Sequence, residues 1–337
     1  MVSNMKSEIV VVENISKTFG KKGSPHSVVA LNDISFSIQQ GANSLLGPNG
    51  AGKSTLIKIL LGFLRSDGRG NAQILGYDIK KEAQQIRERV GYLPEHFTII
   101  PGLNAVKQVT LLAKTSGLPT AEAMQRAHET LQYVGLGEAR YRKVNEFSTG
   151  MLQRLKLAQS IVHDPDLIIL DEPTNGLDPK GRLEMIDLIR EISQDHAINI
   201  LVSSHLLPDI EATCDYATIL NLGKVVTQGR IAELTGKESQ SYEQRIMNVR
   251  IKGKLNDFLV VLRQEGFDFT IEDQVIQIPF TKSDISQRLI KLAYDAKVQI
   301  RSLSPRVAIL EDVFVHSIVD TYTEQPTKDV STTEVSK

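Results

Sequence analysis

Nine consecutive residues, Gly47-Pro-Asn-Gly-Ala-Gly-Lys-Ser-Thr55, constrain this chain more than any other feature. They match Gly-x-x-x-x-Gly-Lys-[Ser/Thr] and directly follow the expected strand Ala42–Leu46. Such a loop works only between a buried strand and a helix. Its glycines let backbone N–H groups turn inward around a phosphate, and the helix beginning near Lys53 aims its positive end at the same anion. Gly47, Pro48, Asn49, Gly50, Ala51 and Gly52 are therefore read as a phosphate cradle. Lys53 is placed to reach β- and γ-phosphates, the Ser54 hydroxyl to ligate Mg²⁺, and Thr55 to sit near the α-phosphate. The bland alternative is a glycine-rich turn that happens to precede a lysine, and the strand–loop–helix setting argues against it.

Residues Leu167–Pro173 read LIILDEP. The first four are apolar on both faces, as in a strand buried inside a sheet. Asp171 at its end is the expected Mg²⁺ ligand, directly or through water. Glu172 follows at once and is the candidate to polarise an attacking water. By itself, Asp-Glu-Pro could be a solvated acidic turn. The phosphate loop upstream favours the metal and water roles.

Around these motifs, β-branched runs alternate with helical patterns, the mark of an α/β fold with a parallel or mixed sheet covered by helices. Strands are expected at Glu8–Glu13, Ile34–Ile38, Ala42–Leu46, Val90–Leu93, Leu167–Leu170 and Ile198–Ser203. From Leu103 to about Arg142 the alternation stops. Ala105, Val109, Leu112 and Ala113, then Ala123, Ala127, Leu131 and Val134, recur at helical spacing. The expected layout is a first domain over 6–236, with a helical subdomain at about 96–160, and a small α+β domain over 244–320. A polar tail over 321–337 is expected to be disordered. The segment GKKGSPHS (Gly20–Ser27) reads as an exposed turn and ELTGKESQSYEQ as a linker. The second domain reads as strand Arg245–Ile251, helix Leu255–Glu265, two strands joined at Glu272-Asp273, helix Ser283–Ala296 and strand Val298–Ser302. That order, βαββαβ, is a split-βαβ unit. A last amphipathic helix would carry Leu310, Val313, Phe314 and Ile318.

Composition narrows the classes further. The net charge of −1 on 337 residues offers no basic stripe for nucleic acid. The one cysteine, Cys214, rules out an intrachain disulfide and a cysteine-based zinc site. It is expected to be a small core residue in a reducing compartment. No apolar core of signal-peptide length opens the chain, and no run of about 18 apolar residues occurs. Work at a membrane would need another chain to supply the membrane part.

Five further stretches stand in a fixed order with the two motifs. Phe19 lies in SKTFG, and Gly91-Tyr92-Leu93-Pro94-Glu95 ends a strand run. Phe147-Ser148-Thr149-Gly150-Met151 precedes the helical pattern LQRLKLAQSIVHDPD. Asn175-Gly176-Leu177-Asp178 follows Glu172, and Ser203-Ser204-His205 ends a later strand. Over about Glu8 to Gly229 the chain resembles the ABC (ATP-binding cassette) ATPases. The resemblance implies a P-loop NTPase cassette with a mixed sheet, a RecA-like core and a helical subdomain, carrying a small accessory domain.

It also implies an ATPase that uses ATP and Mg²⁺, with Lys53, Glu172 and His205 as its catalytic residues. Phe19 would stack on adenine, although a phenylalanine after a strand is more often core. Glu95 falls at the Q-loop, near the metal or its water. His205 would bond the γ-phosphate, although a histidine at a strand end is often only a capped surface residue. Ser148, Thr149 and Gly150 of the signature, with Asp178 of the D-loop, would meet the nucleotide of a second subunit. The implied partners are that second copy, head to tail, and an integral membrane permease, with no nucleic acid. The chain would then sit in the cytoplasm against the inner face of the cell membrane. GYLPE together with STGM resembles the exporter branch that partners a separate all-α membrane subunit. Thr149 and Met151 replace a glycine and a glutamine of the usual signature, while Gly150 is kept, so reduced but real activity is expected. Glu95 replaces the usual glutamine and adds negative charge beside the phosphates.

The rival class is a non-transport ABC protein acting on ribosomes or nucleic acid. The interval from Lys53 to Ser148 is too short for a long coiled coil and holds no cysteine, and a single cassette is present. A GTPase would need Asn-Lys-x-Asp, which is missing. The accessory domain carries no chemical motif, and dimer support is its expected role.

Overall fold

A computed structural model describes residues 8–20, 26–96, 100–195, 198–235, 245–253, 255–272, 275–280 and 285–306. By its contacts the chain divides between Ile231 and Ala232 into two compact units.

The first unit contains strands β1 (Glu8–Phe19), β2 (Val28–Gln39), β3 (Ala42–Leu46), β4 (Asn71–Ile74), β5 (Tyr77–Asp78), β6 (Val90–Leu93), β7 (Leu167–Asp171), β8 (Asn199–Ser204), β9 (Tyr216–Asn221) and β10 (Lys224–Arg230). They form two sheets, β2-β1-β4-β5 and β10-β9-β3-β8-β7-β6. The first is antiparallel. The second is parallel from β9 to β6, with β10 added antiparallel at its edge. Helices α1 (Lys53–Leu60), α2 (Ala83–Arg89), α3 (Ala105–Thr115), α4 (Thr120–Tyr133), α5 (Thr149–Ile161), α6 (Pro179–Asp195) and α7 (Leu207–Thr213) connect them, and α8 (Ile231–Leu234) follows β10 across the boundary between the units.

β3 and β7 are buried along their whole length, β7 as its apolar run Leu167–Leu170 requires, and β3 with Asn43 and Ser44 buried among its apolar residues. Leu45, Ile169 and Leu201 of the parallel sheet share one core with Leu56, Ile57 and Leu60 of α1 and with Val10, Ile15 and Ile38 of the antiparallel sheet. The helical stretch forms as its periodicity predicts. Ala105, Val109 and Ala113 are buried on α3, and Ala123, Ala127 and Leu131 on α4. The Asn104 side chain caps α3 by accepting the Lys107 N–H.

Several elements differ from the sequence reading. β1 continues to Phe19 and β2 starts at Val28. Their shared register shifts more than once, with Asn14 at φ 50°, and a bulge breaks the alternation that marks a strand. β4, β5 and α2 were not foreseen and are short. β10 lies at an edge and is nowhere fully buried, so its sequence carries little apolar signal. Ile231–Leu234, partly inside the segment read as a linker, closes a helical turn.

The second unit contains β11 (Arg245–Lys252), α9 (Leu255–Gln264), β12 (Thr270–Glu272), β13 (Val275–Phe280), α10 (Ile285–Asp295) and β14 (Gln299–Arg306). The order is βαββαβ, and the sheet β12-β13-β11-β14 is antiparallel throughout. Met247, Val249, Ile276 and Ile278 pack beneath Phe258, Leu262, Leu289 and Ala293. The expected helix bearing Leu310, Val313, Phe314 and Ile318, the tail, and most of the Gly20–Ser27 turn lie outside the described residues. Among the described residues no helix is long and apolar enough to cross a membrane. Cys214 is buried, and burial pushes its thiol up to about 12.

Candidate functional site

Two glycines show why the Gly47–Thr55 loop needs its sequence. A Cβ on Gly47 would come within 2.4 Å of the Leu220 carbonyl oxygen. Gly52 enters α1 at φ 105°, and its Cβ would lie 2.5 Å from the Ala30 carbonyl oxygen. Any larger residue would force β2 or β9 away. α1 begins at Lys53 with no side-chain cap, which leaves its first N–H groups to the loop and to an anion held there. The loop bounds a cavity of about 410 Å³ lined by residues 48–55, Glu95 and Glu172, with Val28 and Ala30 of β2 at its side.

Lys53 is buried. Its Nζ donates to the carbonyls of Gly47 (2.7 Å) and Pro48 (3.3 Å) and lies 3.5 Å from Glu172 Oε1. The Ser54 hydroxyl donates to Asp171 Oδ1 at 3.3 Å. Burial pushes the Asp171 carboxyl above its ordinary value. The hydrogen bond from Ser54 works against this shift, and the nearby Glu95 and Glu172 carboxylates add to it.

Glu172 takes a left-handed backbone, φ 51°, which costs an L residue with a β-carbon. Its N–H donates to the Ser203 carbonyl at 2.9 Å, so the next strand holds it in that geometry. Its Oε2 lies 2.9 Å from His205 Nδ1. Where the carboxylate only accepts, Nδ1–H is the donor of this pair.

These two oxygens, Ser54 Oγ and Asp171 Oδ1, are hard ligands close to each other, and Glu95 adds a carboxylate to the same cavity. Among the described residues no cluster of three or more His, Cys, Asp or Glu could hold a metal by itself. That donor set suits Mg²⁺, which takes one or two protein ligands and fills its shell with phosphates and water.

Phe19 does not line the cavity. It pairs across the sheet with Val28, which does. Its ring is 41% exposed, with the Lys17 ammonium 5.7 Å from its centre. It is a rim residue, not a core one.

The remaining candidates lie around a different cavity. Ser148 caps α5, its Oγ accepting the Met151 N–H at 3.3 Å. Thr149 is the first residue of that helix. Ser148, Gly150 and Asp178 line a cavity of about 230 Å³ with Leu177 and Gly181. Asp178 accepts the Gly181 N–H at 3.0 Å. One chain therefore brings Lys53, Ser54, Glu95, Asp171, Glu172 and His205 together, and sets Ser148, Gly150 and Asp178 apart from them.

Two residues without any motif signal join the site. Lys156 of α5 is 3% exposed and donates to the Glu95 backbone carbonyl at 2.9 Å. Burial lowers its ammonium to about 8, with the Glu95 and Asp171 carboxylates resisting the shift. Gln153 Nε2 donates to the Asn175 carbonyl at 3.0 Å. Within LQRLKLAQSI both look like the solvated face of a helix; the packing of α5 against β6 turns Lys156 inward, and Gln153 is buried where it meets Asn175.

Residues 31–175 match the ABC transporter family. The chain is 31% identical over 310 residues to the linearmycin resistance ATP-binding protein of Bacillus subtilis (strain 168), covering 90% of this chain and 96% of that protein. A daunorubicin resistance ATP-binding protein of Streptomyces coeruleorubidus is 28% identical over 314 residues, covering 93% and 96%. Among solved structures, a dimeric ATP-binding cassette in a post-hydrolysis state with ADP and Pi superimposes with a TM-score of 0.60 at 25% identity, covering 66% of this chain and 98% of that one. An ATP-binding subunit of an ABC transporter gives 0.59 at 29% identity, covering 68% and 92%.

Proposed function

This chain belongs to the ATP-binding proteins of the ABC transporter family and is an ABC ATPase, and from that membership we propose that two copies close head to tail over ATP and drive a separate membrane permease as an exporter. The observation that carries the reading is the separation of the two cavities. The phosphate loop, Glu95 and Glu172 line one, while Ser148, Gly150 and Asp178 line the other. A two-fold axis would set each half against its complement and complete two equal sites. The resistance ATP-binding proteins among the relatives support the exporter direction.

Within each site, the loop from Gly47 to Gly52 wraps the phosphates with its N–H groups. Lys53 offsets charge on the β- and γ-phosphates, and Thr55 lies by the α-phosphate. Ser54 and Asp171 would hold Mg²⁺, with Glu95 reaching it through water, and the bound ion neutralises phosphate charge. Glu172 takes the proton of the attacking water. His205 holds that carboxylate through Nδ1–H and, when protonated, donates from Nε2 to the γ-phosphate. The other copy adds the start of its α5 at Ser148–Gly150, a second helix N-terminus aimed at the γ-phosphate, and its Asp178. Phe19 stacks on adenine. The chain is then peripheral on the cytoplasmic face of the membrane, held there by the permease. The small α+β domain read over 244–320 supports the dimer, and unchanged dimerisation and ATPase activity after truncation near Gly236 would remove that role.

The test is to express Glu172→Gln in its native cell, solubilise in mild detergent with ATP and Mg²⁺, and identify what co-purifies. A polytopic membrane protein is the expected result. Ribosomes or nucleic acid without one would overturn the transport reading and leave the ATPase standing.

A further inference from the structure

Two carboxylates, Glu95 and Glu172, line the cavity proposed above to hold a polyanion, and Asp171 lies within their field. Lys53 is the cation inside it. The next cation comes from behind, on the helix that Ser148 caps. Lys156 lies eight residues after Ser148, about 12 Å along α5. It is buried to 3% exposure and donates to the Glu95 carbonyl at 2.9 Å, within the field of the Glu95 and Asp171 carboxylates.

A buried ammonium costs folding free energy unless it is paired. Its neighbours on the helix, Leu155 and Leu157, are fully buried apolar residues, so an apolar side chain would satisfy the core at less cost. A lysine there answers to charge. We propose that Lys156 is a positioning residue: it ties α5 to the Glu95 segment and offsets the Glu95 carboxylate, so that nucleotide bound at one site fixes the pose of the Ser148 helix end offered to the other. The inference rests on the ATP site proposed above. It makes residues 95 and 156 an energetically coupled pair, which a lysine that only packed would not be.

The experiment is a four-protein cycle on the full chain: wild type, E95Q, K156M and E95Q/K156M. Mg-ATP affinity is read by displacement of a fluorescent ATP analogue, and kcat by phosphate release. K156M should weaken ATP binding about tenfold, because it leaves a carbonyl unpaired and a carboxylate unbalanced. E95Q alone shifts affinity by a factor of its own, since Glu95 belongs to the proposed metal site, and E95Q/K156M should then lie within about threefold of E95Q. kcat should fall in K156M and recover only in part in the double variant, since the carbonyl stays unpaired. Equal losses from K156M in both backgrounds, or no loss in either, would overturn the proposal. Should K156M fail to fold, K156Q, which keeps a donor for the carbonyl, takes its place. Unfolding of K156Q and E95Q/K156M alike would make Lys156 a folding residue and end the idea. Wild type that binds no ATP would instead overturn the function on which the inference rests.

Discussion

Glu172 is held from both sides: its Oε2 lies 2.9 Å from His205 Nδ1, and its Oε1 lies 3.5 Å from Lys53 Nζ. The carboxylate sits at the end of a fully buried strand in a left-handed backbone, so its position is over-determined. Glu172→Gln keeps the shape and removes the proposed base. ATP binding should survive while turnover falls by about 10²–10⁴. The protein should accumulate as a dimer in ATP, read by size-exclusion chromatography beside a phosphate-release assay. Near-normal turnover would assign the water to another group, with His205 or Glu95 next in line.

Lys53→Ala removes the cation of the cavity and leaves Glu172 without its buried partner. ATP affinity should drop on the order of a hundredfold or more, since a charge-assisted contact and a counter-ion go together. Isothermal titration with Mg-ATP measures this directly. Retained tight binding would refute the assignment of the phosphate loop.

Asp171 is 1% exposed, and burial with two nearby carboxylates raises its carboxyl above the ordinary value. A raised carboxyl means the folded state disfavours the ionised form. The group therefore lowers stability at neutral pH, and that penalty fades as pH falls. Asp171→Asn should stabilise the nucleotide-free chain by about 1 kcal/mol while abolishing most ATPase activity, the trade-off expected of a site built for function. Urea unfolding in the absence of nucleotide decides it, and a loss of stability would show that the carboxylate is well compensated.

Lys156 gives a pH test with the opposite sign from a lysine that gains a partner. Its ammonium is lowered from 10.5 to about 8 by burial. Below pH 8 the folded state must keep a buried charge, which costs stability. Between 8 and 10.5 the unfolded chain holds more protons than the folded one, so stability rises with pH. Relative to K156M, wild type should gain on the order of 2 kcal/mol between about pH 7.5 and 10 in urea midpoints. A flat difference would mean that Glu95 and Asp171 hold the ammonium near its usual value.

Much of the candidate site was legible because its chemistry demands neighbours in the chain. A phosphate loop needs Gly47 and Gly52 at fixed offsets from Lys53, and the proposed metal ligand and base, Asp171 and Glu172, come together at the end of one buried strand. The stripes on α3 and α4 were legible for a similar reason, since a helix returns to its own face every three or four residues. β10 and Lys156 were not. β10 is recognisable only once β9 is beside it, and Lys156 reads as solvated surface until α5 meets β6.

The sequence by itself determined the α/β class, the phosphate loop, the acidic strand end and the ordered motifs of the family, because each is written in residues close along the chain. Tertiary structure alone decided that Glu172 is gripped between His205 and Lys53, that Ser148 and Asp178 face a cavity separate from the phosphate loop, and that a helical lysine is buried against Glu95. Those facts depend on which distant segments pack together. Packing is settled by the burial of the whole core, which no local run of residues records.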